Sequence, residues 1–239
     1  MVAVAHGSTD PRASATVDEL ARLVRQRRPG LDLRTAFLGH APPSLPQVLG
    51  TIGADQQVRV MPLLLTAAYH SKADIPRMLA RVPRPQVSYG ATLGPHPRLI
   101  AALEHRLAEA DPAALADPAR TAVVLAAAGS SDPEASATIA GVAEQWQART
   151  GWRAVRPAYA SAAGPTPAEA VIALLRAGIP RVVVATYLLA PGLFADKIRA
   201  AALAAGASAV SPALGACAEV ADVLLDRFEE AGSQRRSAA

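Results

Sequence analysis

Residues 5–16 read AHGSTDPRASAT, and residues 127–138 read AAGSSDPEASAT. Nine of the twelve positions agree, and the copies stand 122 residues apart in a chain of 239, so the sequence is two similar units joined head to tail. The copies differ where chemistry would sit. His6 in the first is Ala128 in the second, whereas Gly129, Ser130, Asp132 and Pro133 repeat the residues around it. The turn is needed twice and the imidazole once.

Outward from this turn, strand and helix alternate. A short apolar run over residues 2–5 ends in Gly-Ser, and Asp10-Pro11 supplies an N-cap and a first helical residue. Val17, Leu20 and Val24 then recur at helical spacing until Pro29-Gly30. Strands are expected at 31–38, 58–65 and 86–93, with helices at 46–52, 74–81 and 97–110. The second half repeats the order, with strands at 121–127, 153–159, 181–188 and 207–210 and helices at 134–149, 167–177, 194–205 and 218–230. Residues 111–120, DPAALADPAR, read as a linker broken by two Asp-Pro pairs, and the tail from Gly232 as a frayed end.

The expected fold class is therefore α/β: two tandem open parallel-sheet, Rossmann-like domains at 1–116 and 117–239, with a cleft between them. The first carries the candidate histidines; the duplicate lacks them.

Composition narrows the function. No window is apolar for the ~18 residues that a membrane span needs, and with an apolar strand expected from Val2 a secretion signal is not expected. A single cysteine, Cys217, excludes an internal disulfide and a thiolate metal cluster, which suits the cytoplasm. Net charge is only +4 without a basic, aromatic-laced run, so nucleic acid is not an expected partner. Phosphate-loop, dinucleotide, nucleophile-elbow and zinc-helix motifs are absent, and no nucleotide is implied.

All five histidines fall in the first half. Ligands of open parallel sheets bind beyond the carboxyl ends of the strands, and His6, His40, His70 and His96 each follow one. His105 lies on a helix instead. Imidazoles clustered at one sheet edge suit divalent transition metals and equally suit proton transfer near neutral pH. Ser8, in a turn leading to a helix N-terminus, could hold an anion. Tyr69 lies next to His70 and could line the cleft.

The motifs AHGSTDPRA, FLGHAPPSL at 37–45, PLLLTAAYHSKADIP at 62–76 and LGPHPRL at 93–99 resemble those of the ATP-independent class II chelatases, along the whole duplicated chain. The resemblance implies a sirohydrochlorin ferrochelatase or cobaltochelatase. Such an enzyme inserts Fe²⁺ or Co²⁺, with Ni²⁺ a further option, into a tetrapyrrole for sirohaem or cobalamin synthesis. It places the family's metal-binding, proton-accepting histidines on His6 and His70. Where relatives commonly have a glutamate ligand this chain has Gly39, so His40 is the candidate replacement. Arg12, Lys72 and Arg77, with Arg98, Lys197 and Arg199, are candidates to meet the substrate's carboxylates. A monomer is expected, because duplication supplies within one chain what shorter relatives build by dimerising. The competing reading is a metal or tetrapyrrole carrier without turnover.

Overall fold

A computed structural model describes residues 1–82 and 86–237, with the side chains of His70 and of residues 234–237 outside the described set. Among the described residues the strands are β1 Val2–Ala5, β2 Arg34–Phe37, β3 Val58–Pro62, β4 Val87–Tyr89, β5 Thr121–Ala127, β6 Ala154–Tyr159, β7 Arg181–Tyr187 and β8 Ala209–Val210. The α-helices are α1 Pro11–Arg27, α2 Leu45–Gly50, α3 Ile75–Ala80, α4 Pro97–Ala110, α5 Pro112–Ala116, α6 Pro133–Arg149, α7 Pro167–Arg176, α8 Leu193–Ala204 and α9 Ala218–Ser237. A π-helical turn, His70–Asp74, precedes α3, and a 3-10 turn, Pro118–Arg120, precedes β5.

Two four-stranded, all-parallel sheets result, ordered β2-β1-β3-β4 and β6-β5-β7-β8. The α/β class and its duplication stand as the sequence implied. Strands β1 and β5 lie inside their sheets and every residue in them is buried, which is why they read as apolar runs without alternation.

The first compact unit is Met1–Arg98 with Ala216–Ala239, and the second is Leu99–Gly215. The repeat boundary at 116/117 is thus not where the compact units divide. In the first unit α9 buries Val220, Ala221, Val223 and Leu224. Arg27 and Arg28 of α1 pair with its Asp222 and Glu229 at 2.9 and 2.6 Å, and Arg59 lies 4.5 Å from the Phe228 ring centroid. In the second unit α4 buries Leu103 and Leu107, its Glu104 accepts from Trp146 Nε1 at 3.0 Å, and its Arg106 donates to the Leu214 carbonyl at 2.9 Å.

Three local expectations change. The stretch 111–120 is not an open linker: its Asp-Pro pairs start α5 and the 3-10 turn, and the Asp111 carboxylate caps α5 by accepting from Ala113 N–H at 3.1 Å. α9 continues past Gly232 to Ser237, so that glycine does not end the helix. The helix expected at 74–81 starts at Ile75 instead, because Asp74 still belongs to the π-turn, has an αR backbone and makes no side-chain cap hydrogen bond. Among the described residues no helix is long and apolar enough to cross a membrane.

Candidate active site

The site begins where β1 ends. Gly7 has φ +88°, and a Cβ there would stand 1.7 Å from the Gly39 carbonyl oxygen, so the loop after β1 touches the loop after β2 through a position only glycine fills. Leu38 N–H donates to the Ala5 carbonyl at 3.0 Å and Gly39 N–H to the His6 carbonyl at 3.2 Å, extending the sheet's pairing into both loops. His40 follows with φ +62°, in the left-handed region that side chains rarely occupy. The consequence is a pair of exposed imidazoles, His6 and His40, with ring centroids 6.1 Å apart and planes at 60°.

The duplicate is an internal control. Gly129 has φ +88° and its Cβ would meet the Ser161 carbonyl at 1.8 Å, while Ala162 has φ +59°. The same backbone stands there without either imidazole, on Ala128 and Ala162. The turn is architecture and the histidines are an addition to it. With metal–nitrogen bonds of about 2.1 Å, two imidazoles sharing one ion hold their centroids no more than about 6.5 Å apart. The observed pair lies inside that limit.

The remaining candidates divide. Ser8 serves the turn: its hydroxyl oxygen accepts from Asp10 N–H at 3.0 Å, as Ser130 does from Asp132. Asp10 caps α1 and takes the Arg12 guanidinium on both oxygens, Nη2 donating to Oδ2 at 2.6 Å and Nε to Oδ1 at 3.1 Å, which holds the Asp10 carboxyl below its ordinary pKa. Tyr69, 58% exposed, accepts from Arg77 Nη1 at 3.0 Å, and the guanidinium lies 5.9 Å from its ring centroid. These two stand together as an aromatic face with a cation at its rim. Lys72 lies within the π-turn, its N–H donating to the Ala68 carbonyl at 2.9 Å. His70 opens that turn, and its side chain falls outside the described residues. Among the described residues no group of three His, Cys, Asp or Glu could hold an ion.

His96 is occupied elsewhere. Its Nδ1 accepts from Arg98 N–H at 3.2 Å at the start of α4, and its Nε2 lies 3.7 Å from Asp226 on α9. Burial, then the nearby Arg227 charge, lowers its pKa. Arg98 pairs with Asp226 at 3.2 Å, and Arg199 donates to the Val210 carbonyl at 3.0 Å, so both arginines hold the fold.

Two residues escaped the sequence reading. Buried Ser71 accepts from Ala68 N–H at 3.0 Å, and Tyr89, at the end of β4, donates to the Ser71 carbonyl at 3.1 Å. A tyrosine ending a strand in a chain with only four was the available signal.

The CbiX family model matches residues 1–110 and again 122–231. The chain is 27% identical to the sirohydrochlorin cobaltochelatase of Priestia megaterium over 82% of its own length and 65% of that protein, so the match spans just under two thirds of that relative. It is 28% identical to the sirohydrochlorin ferrochelatase of the same organism, over 82% of the chain and 75% of the relative. The structure of SirB from Bacillus subtilis with Fe³⁺ superposes with a TM-score of 0.80 at 25% identity, covering 99% of this chain and 96% of that one.

Proposed function

The chain belongs to the CbiX family, and on that premise we propose that it inserts a divalent metal, Fe²⁺ or alternatively Co²⁺, into a sirohydrochlorin-type tetrapyrrole without ATP. The observation that carries this reading is the His6–His40 pair, two imidazoles within reach of one ion at the carboxyl edge of a parallel sheet. The names of the relatives support the ring and the two metals.

Insertion requires a metal to exchange water for four ring nitrogens while two pyrrole N–H protons leave. His6, His40 and His70 are the proposed ligands. A few neutral imidazoles bind such ions without the grip of thiolates, so the metal can be passed on, and the freed imidazoles accept the protons. Ni²⁺ is served by the same donors. Tyr69 offers an apolar face to the macrocycle, and Arg77, with Lys72, meets its carboxylates. Arg12, paired with Asp10, and Ser8, turned into its loop, are the weaker members of the substrate-binding set. The reading includes a monomer working in the cytoplasm, on the sirohaem or cobalamin route that shares this substrate.

The test is anaerobic mixing of the protein with sirohydrochlorin and Fe²⁺ or Co²⁺, followed by absorbance. Faster spectral conversion than in buffer supports insertion, and the faster metal indicates the route. Tight binding of metal or ring with no acceleration points to a carrier instead.

A further inference from the structure

The two copies of the scaffold differ in backbone after their third strands as well as in their histidines. After β3 the chain enters the π-helical turn His70–Asp74, whereas after β7 it enters α8, a regular helix from Leu193. Strand registers fix the correspondence. Val2 pairs with Val60 and Val124 with Val184, and these partners pair onward with Tyr89 and Val210. Tyr89 in the first copy is therefore Val210 in the second. Counting on from Val60 and Val184 likewise sets Ser71 against Ala195 and His70 against Phe194.

The widened turn is held by these two polar residues. Ser71, 7% exposed, accepts from Ala68 N–H and donates to the Ala68 carbonyl, both at 3.0 Å. Its own carbonyl accepts from the Tyr89 hydroxyl at 3.1 Å. The Tyr89 ring packs on the core cluster that also contains Ile75, fully buried directly after the turn. Where both polar groups are lacking, at Ala195 and Val210, the segment winds as an ordinary helix. A π-turn inside a helix is uncommon and costs hydrogen-bond quality, so it persists where something outside the helix holds it. Burial pushes the Tyr89 phenol up to about 12, so it remains a donor throughout the working pH range.

We propose that Tyr89 is a positioning residue: by donating to the Ser71 carbonyl, it keeps the segment His70–Asp74 in the π-turn that sets the backbone of His70 and Lys72 at the sheet edge. This rests on the reading of His70 as a metal ligand.

The test uses Tyr89→Phe, which keeps the ring and removes the donor. In Co²⁺ titrations of the whole chain, followed by visible absorption, Tyr89→Phe should weaken binding about tenfold, the scale of one lost hydrogen bond. Amide exchange should accelerate at residues 71–74 and stay at the wild-type rate in β1. Unchanged Co²⁺ affinity in Tyr89→Phe, with His70→Ala weakened, overturns the brace. Faster exchange throughout β1 also overturns it, since the hydroxyl would then serve stability alone. If His70→Ala itself binds Co²⁺ like the wild type, the reading of the site fails and the proposal falls with it.

Discussion

The imidazole of His40 stands 6.1 Å from that of His6, centroid to centroid, on a backbone turned to φ +62°. A left-handed backbone costs a non-glycine residue about 1 kcal/mol, and here it carries the ring that pairs with His6. His40→Gly separates the two roles. Stability should stay level or rise by up to about 1 kcal/mol, because glycine accepts that φ, while Co²⁺ affinity should fall about tenfold with the loss of a ligand. Chemical denaturation and Co²⁺ titration read the two effects. Unchanged affinity would remove His40 from the donor set.

Gly39 is the position where the chelatase resemblance leads one to expect a glutamate, and nothing in its surroundings demands glycine. Its φ lies outside the left-handed region and no atom lies within 4 Å of a built Cβ. Gly39→Glu should fold normally and bind Co²⁺ about tenfold more tightly, since a carboxylate is added beside two imidazoles. Isothermal titration checks this, and an unaltered affinity would show that the added carboxylate does not reach the ion.

Gly7 and Gly30 have nearly the same positive φ, +88° and +85°, but differ in what surrounds them. A Cβ at Gly30 meets nothing within 4 Å. Gly30→Ala should cost about 1 kcal/mol, the conformational term alone. Gly7→Ala must also displace the Gly39 carbonyl and should cost at least about 2 kcal/mol more, loosening the His6–His40 pair as well. Urea midpoints of the two variants give the comparison directly.

His96 has its pKa lowered by burial and by Arg227, so the native state resists protonating it. A group depressed in this way contributes stability above its unfolded pKa of about 6.5, and the contribution is lost as pH falls through the folded value. Stability should therefore decline below about pH 6.5. His96→Asn, whose amide oxygen can take the place of Nδ1 at the start of α4, should flatten that part of the profile. Denaturant midpoints between pH 7.5 and 5.5 measure it; parallel slopes would contradict the assignment.

Much of the fold was legible because the deciding signals are local. Asp10-Pro11 caps and starts α1 where the sequence places it, α6 begins one residue before its expected start at 134, and the strand expected at 121–127 is found over Thr121–Ala127. What was not legible depends on partners distant in sequence. The π-turn rests on a bond from Tyr89, eighteen residues from Ser71. Arg98 and His96 read as site residues until α9 supplied Asp226 as their partner. The Asp-Pro pairs of 111–120 look like breaks whether they end a helix or, as here, begin one. His6 and His40 were found from their positions after the strands, but their approach needed the left-handed turn at His40, which no side-chain pattern announces.

The proposed role of His6, handing a metal to a tetrapyrrole, is open to direct test. Its most direct measurement is the anaerobic insertion rate for sirohydrochlorin with Fe²⁺ and with Co²⁺, comparing the wild type with His6→Ala. Acceleration over buffer that His6→Ala loses, with unfolding midpoints equal, is the expected result. A wild type no faster than buffer, or a His6→Ala variant as fast as the wild type, would contradict it.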